Sequence, residues 1–259
     1  TGCNTGGDTH AAADIICYMN GYNDPRRPVY FIPSEFEGFE YAGIRIRVEK
    51  PALNSVGRKY SGVNISPSDP LVWMNAAEVA FLKAEAKAVF DFNMGAGSAE
   101  EFYNEGVRLS FEQHNVAGYE AYIMDETSRP ASYIDPAGLN NYSSVLSDIT
   151  IKWDEGAPVE KKQERIITQK WIANFNNGNE AWADYRRTNY PALMPASDAG
   201  NKSDGLVSSE FGARRMKYPL AEYTNNGENV NAAVSNYLGG PDRMSTRLWW
   251  DCNPAIEIK

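Results

Sequence analysis

Imidazoles, thiols and carboxylates are the side chains best suited to chemistry, and this chain arranges few of them for it. Its 259 residues include two histidines, His10 and His114, and three cysteines, Cys3, Cys17 and Cys252. Neither set has the spacing of a zinc site or a redox pair, and the odd cysteine count supports no disulfide framework. His114 ends a helical face and reads as structural. No H-E-x-x-H, G-x-S-x-G, G-x-G-x-x-G or phosphate-loop pattern occurs, so the usual metal, nucleophile and nucleotide sites lack their residues. The 34 carboxylates make an acid–base pair only where two face each other across a substrate. Glu180 and Asp184 stand four apart on one helix, but a plainer reading explains them. Glu180 suits the positive helix N-terminus, and Asp184 can pair with Arg187. Asp91-x-Asn93-x-Gly95 has the outline of a calcium loop without the oxygen ligand needed at its fifth position. The expectation is a protein with no catalytic residue, no metal and no cofactor.

Aromatic residues are the more promising chemistry. There are 15 Tyr, 10 Phe and 6 Trp, together 12% of the chain. Flat rings stack on sugar faces while Asn, Asp and Arg hydrogen-bond the hydroxyls, which is recognition without bond making. Tyr18, Tyr22 and Tyr30 fall among Asn20, Asn23, Asp24, Arg26 and Arg27. Trp153 and Tyr133 fall in a loop between helical stretches. From these we take Tyr18, Tyr22, Asn23, Arg26, Tyr30 and Trp153 as candidate ligand-binding residues. Plain packing is the competing reading for each. Trp73, Trp171, Trp182 and Tyr185 lie on apolar helical faces and read as core.

The elements that must position these residues follow from periodicity. Residues 1–70 show no sustained helical period and read as loop with a minor sheet element, with short extended pieces at 29–32 and 44–48. Residues 71–93 form the strongest helix. Pro70 precedes it, and Trp73, Ala77, Ala80, Ala84 and Ala88 make a stripe of small residues with one aromatic. Val79, Leu82, Ala86 and Val89 make a second apolar face, which predicts burial on two sides. Residues 98–117 form the next helix, opened by the capping box Ser98-Ala99-Glu100-Glu101. The short connection predicts an antiparallel hairpin. Gly118 interrupts, and 119–125 resume for a turn or two. Residues 129–157 are loop. A helix over 159–176 turns Ile167, Trp171 and Phe175 inward, with Lys161, Lys162, Arg165 and Lys170 pointing elsewhere. After Gly178, a short helix capped by Asn179 runs to 188 with Ala181, Trp182 and Tyr185 inward. Beyond Pro191 the chain reads as an irregular Pro/Gly/Asn-rich tail.

Composition narrows the class. The formal net charge is −9, and phosphate contacts need clustered Lys and Arg, so nucleic acid is not an expected partner. No apolar run approaches the ~20 residues of a membrane-spanning helix. Thr-Gly-Cys3 has a faint lipobox outline without the apolar segment that must precede one.

Specific wording goes further than composition. Trp73-Met74-Asn75-Ala76-Ala77-Glu78-Val79, then Leu82-Lys83-Ala84-Glu85-Ala86, resembles a signature helix of the SusD/RagB family. Residues 163–171 resemble its helix leading into a G-x-E-x-W-x-D-x-R-R-T segment. That segment here is Gly178-Asn179-Glu180-Ala181-Trp182-Ala183-Asp184-Tyr185-Arg186-Arg187-Thr188. Arg214-Arg215-Met216-Lys217-Tyr218-Pro219-Leu220-Ala221-Glu222 resembles the family's R-x-x-Y-P-x-x-E stretch, and 242–251 its usual ending. The pieces stand in family order over about residues 24–253.

The resemblance implies a mainly α fold of tetratricopeptide-like helical hairpins with long irregular loops and minor strand. It implies an upstream segment at 1–23 and a C-terminal helical domain at 24–259. It also implies that Thr1 lies inside a longer family member, whose lipid-anchored cysteine and first helix pairs fall outside this chain. Family members capture oligosaccharides, or peptides in RagB-like cases, on the extracellular face of the outer membrane. They serve a SusC-like TonB-dependent transporter. The expectation is therefore a glycan-binding, non-enzymatic lipoprotein of polysaccharide utilisation, touching the membrane only through that anchor. The alternatives are a scaffold that docks the transporter without touching ligand, or a peptide binder.

Overall fold

The computed structural model describes residues 9–48, 56–196 and 200–252; Cys3 and its lipobox outline lie outside them. The helices are α1 (Ala13–Gly21), α2 (Arg27–Tyr30), α3 (Ala76–Phe90), α4 (Ala99–Gln113), α5 (Tyr119–Tyr122), α6 (Val159–Ala173), α7 (Gly178–Thr188), α8 (Leu220–Asn225) and α9 (Gly227–Tyr237). Among the described residues strand is reduced to isolated bridges, such as Ala12 with Ile44 and Phe31 with Val63. The chain divides into two compact units. The first is Thr1–Ile46, Lys50–Asp184 and Tyr190–Met194; the second is Arg47–Glu49, Tyr185–Asn189 and Pro195–Lys259.

The first unit is built on the α3–α4 hairpin and α6. The Asn75 side chain accepts the Glu78 N–H at 2.7 Å, which fixes where α3 begins. Helix α3 ends as Asp91 turns left-handed at φ 53° and bonds its N–H to the Ala86 carbonyl. At α4 the expected capping box is present in both directions between Ser98 and Glu101, so the exposed start of the helix satisfies its own donors. Phe81 packs against Tyr103, and Lys87 reaches the Gly97 carbonyl. Residue numbers fall along one helix as they rise along the other, so the pair is antiparallel. A Cβ on Gly106 would stand 2.7 Å from the Phe81 ring, so only glycine allows this approach. Helix α6 crosses α3 through polar ties, Gln163 to Glu85 at 2.9 Å and Asn75 to Asn174 at 2.7 Å.

Several expectations are corrected. Residues 13–21 and 27–30, read as loop and extended chain, are helical. Almost every residue of α1 is buried, so no polar face remains to reveal its period. The strong helix starts at Ala76 rather than 71, because Asn75 is the cap. Trp73, read as core, precedes the helix and is 80% exposed. The second apolar face of α3 is not buried: Val79 is 49% and Leu82 44% exposed. Arg165 and Lys170, read as pointing away, are buried. Lys170 pairs with Glu78 at 3.3 Å and with Asp184 at 2.9 Å, so a buried cation is met by two carboxylates.

The second unit contains α8 and α9 where an irregular tail was expected. Its two motif stretches hold each other. Buried Arg214 pairs with Asp251 at 2.8 Å. Arg215 pairs with Asp242, whose other oxygen accepts the Tyr218 N–H at 3.0 Å and the Tyr223 hydroxyl at 2.9 Å. The wording that carries the family resemblance is thus wording that builds a polar core.

Candidate functional site

The six candidate residues separate by burial. Tyr18 points its edge at Trp171 with ring centroids 5.5 Å apart, and its hydroxyl donates to the Ala192 carbonyl at 2.9 Å. Tyr30 stacks on Phe175 at 4.4 Å and 9°. Arg26 is fully buried and forms a fork on Asp24, with Nε to Oδ1 at 2.9 Å and Nη2 to Oδ2 at 2.6 Å. It also reaches Ser110 at 2.8 Å, Gln169 at 3.1 Å and Tyr122 at 3.2 Å, and lies 4.8 Å over the Phe111 ring. Burial opposes the charge, but the Asp24 carboxylate outweighs it and holds the guanidinium well above its ordinary pKa. Asn23 is exposed in the left-handed turn that follows α1, at φ 48°. The buried tyrosines, placed by sequence in a ligand-facing loop, sit in the core because the segment around them is helical.

Tyr22 leads from this core to a surface hollow. Its hydroxyl donates to the Ile149 carbonyl at 3.0 Å, and Tyr103 likewise donates to the Ile151 carbonyl at 2.6 Å. Trp153 follows, 5% exposed, its ring 5.4 Å from Tyr103. Ile149, Ile151 and Trp153 are buried, while Asp148, Thr150, Lys152 and Asp154 alternate with them along the wall of a hollow of about 800 Å³. The I-x-I-x-W spacing was the available signal for this wall. The stretch that carries it is loop, as expected.

The rim is charged and ordered. Lys152 pairs with Glu126 at 2.6 Å, Lys161 with Asp148 at 2.5 Å, and Lys162 with Glu155 at 3.0 Å. The Trp153 indole N–H donates to Glu155 at 2.8 Å. The Lys161 ammonium holds the Asp148 carboxyl below its usual range; the Trp153 N–H, then Lys162, do the same for Glu155. Asp125 lies beside Lys152, whose N–H its carbonyl accepts at 2.9 Å, and its carboxylate accepts the N–H groups of Thr127 at 2.8 Å and Ser128 at 2.9 Å. Burial would raise its pKa, but these bonds prevail and bring it down to about 2. At the base, Arg165 donates from Nε to the Thr150 carbonyl at 3.1 Å. Among the described residues no group of three His, Cys, Asp or Glu is placed to hold a metal. The hollow offers fixed charges, amides and hydroxyls, the equipment of non-covalent recognition.

The first unit thus joins an antiparallel helical hairpin to a polar surface hollow. Residues 2–251 match the sequence model of the SusD-like family, described as Susd and RagB outer membrane lipoprotein. This chain belongs to the SusD-like family, and its fold is the family's tetratricopeptide-like helical one. A solved SusD homolog from Bacteroides uniformis is 61% identical, with a TM-score of 0.92 over 96% of this chain and 51% of that one. A SusD homolog from Bacteroides thetaiotaomicron is 43% identical, with a TM-score of 0.86 over 94% of this chain and 52% of that one. A chitin-binding SusD homolog from Flavobacterium johnsoniae is 42% identical, with a TM-score of 0.84 over 93% of this chain and 49% of that one. Among curated proteins nothing matches significantly. The chain spans about half the length of the solved relatives it matches.

Proposed function

We propose that this chain belongs to a glycan-capture protein, anchored by lipid on the extracellular face of the outer membrane. It holds oligosaccharides for delivery to a SusC-like TonB-dependent transporter. The observation that carries this reading is 42% identity, over nearly the whole chain, to a SusD homolog that binds chitin. Recognition is by hydrogen bonds and ring contacts, with no bond made or broken. In this reading Tyr18, Tyr22, Arg26 and Tyr30 position the wall of the hollow from within, and Asn23 and Trp153 stand nearer the ligand.

Titration calorimetry of the full-length protein against a panel of oligosaccharides and short peptides tests it. Heat with one class of glycan is the expected result. Heat with peptides alone would move the protein to the RagB kind, and no heat with either would end the reading.

A further inference from the structure

We propose that the hollow beside Trp153 takes an anionic substituent of a glycan, a carboxylate or sulfate, on the guanidiniums of Arg129 and Arg165. The inference rests on the glycan-capture reading above and names the ligand class within it.

Most charged groups around the hollow are already paired. Its two lysines are neutralised, Lys152 by Glu126 and Lys161 by Asp148. Glu155 is engaged by Lys162 and by the Trp153 indole. Asp154 closes a turn on the Gly156 N–H at 3.0 Å. Two cations in the lining remain without a carboxylate in ion-pair contact among the described residues, Arg129 and Arg165.

Arg165 is the telling one. It is 5% exposed, yet among the described residues its guanidinium bonds go to neutral oxygens. Nε binds the Thr150 carbonyl at 3.1 Å and Nη2 the Thr150 hydroxyl at 3.4 Å, while buried Nη1 has no hydrogen-bond partner. Buried cations are ordinarily met by an anion, because desolvation otherwise goes uncompensated. Arg129 is exposed and binds the Asp148 carbonyl at 3.1 Å and the Thr127 carbonyl at 3.4 Å. Its charge is felt by Asp148, which Lys161 already engages. The two guanidiniums hold carbonyls two residues apart on one segment. Both guanidiniums are thereby tied to one short stretch of the hollow's wall. Guanidinium forks match the planar carboxylate and the sulfate face, with charge-assisted bonds roughly twice as strong as neutral ones. The lysine–carboxylate pairs around them leave hydroxyl-binding groups at the rim.

The test is calorimetry of the full-length protein with three probes of equal length: a galacturonic acid tetramer, a sulfated galactose tetramer and a neutral galactose tetramer. One or both acidic probes should bind at least about tenfold more tightly than the neutral one, the equivalent of one charge-assisted hydrogen bond. The stronger of the two identifies the anion. Arg129→Gln, on an exposed side chain, should reduce the acidic-over-neutral preference by about tenfold. Arg165→Gln, compared only where its circular dichroism matches the parent, should remove the acidic preference altogether. Equal binding of neutral and acidic probes, or an Arg129→Gln protein that keeps the preference, overturns the inference and leaves glycan capture standing. Failure of all three probes overturns the inference; whether the glycan-capture reading falls as well is decided separately, by the wider panel.

Discussion

Arg26 decides whether the aromatic and polar cluster after α1 is a ligand site or a core. Its replacement by alanine removes a guanidinium that is fully buried and makes five side-chain hydrogen bonds, two to Asp24 and one each to Ser110, Tyr122 and Gln169. Asp24 would remain buried without its partner. It would keep the Tyr122 hydroxyl at 2.8 Å and the backbone N–H of residue 26 at 2.9 Å. Breaking a buried pair by removing one partner costs about 3–5 kcal/mol. The two bonds left to Asp24 place this case near the lower end, at about 3 kcal/mol. Urea denaturation followed by circular dichroism measures it. Replacing both residues by apolar ones, Asp24→Leu with Arg26→Met, should recover a large part of that loss, since no unpaired charge is left behind. A single variant that unfolds within about 0.5 kcal/mol of the parent, as surface changes do, while losing glycan affinity, would refute the structural role and return Arg26 to the ligand.

Other expectations follow from burial and charge. Trp182 is half-buried, so Trp182→Ala should cost about 2 kcal/mol, below the ~3–5 of a fully buried tryptophan; a loss above 4 in urea denaturation would contradict it. Val79→Glu with Leu82→Glu should leave the unfolding free energy of this 259-residue chain within about 0.5 kcal/mol, and a marked loss would show that face to be covered. Asp125 has its pKa depressed from 3.8 to about 2, so its stabilisation is complete above the unfolded value and lost as pH falls through the folded one. The stability gap between parent and Asp125→Ala should therefore close between about pH 4 and pH 2, and a gap independent of pH would deny the turn its role. Burial first, then Asp14, pushes the Cys17 thiol up to about 12. It should resist a thiol reagent at pH 8 under conditions that label exposed Cys252.

The hairpin was legible because its signals are local. Ser98 and Glu101 stand three apart, and the alanines of α3 recur at helical spacing, so the α3–α4 pair is legible in the sequence alone. Helix α1 gives no such signal, because it is buried on every side and has no polar face. Helices α8 and α9 fail in the opposite way. Val230 is the one residue buried in them among those described, so there is no apolar stripe to read. Arg165 and Lys170 show a third limit. Charged residues on a helix are read as outward by default, and only tertiary contact reveals that Lys170 meets Glu78 and Asp184.

The burial of Tyr18, Tyr22, Arg26 and Tyr30 was hidden for a related reason. Tyrosines among asparagines and arginines have the composition of a sugar-binding loop, but composition cannot show that an intervening helix turns them inward. Once Tyr22 and Tyr103 are inside, their hydroxyls need acceptors, and they find them in the carbonyls of Ile149 and Ile151. Satisfying these buried donors fixes the backbone on which Asp148, Thr150 and Lys152 face the hollow. A Tyr22→Phe protein keeps the ring and loses that anchor, so the hollow's wall should loosen without loss of the core. Amide exchange at residues 148–153 is the measurement: exchange there should quicken while that of α4 holds. Equal exchange throughout would mean that the core does not position the site.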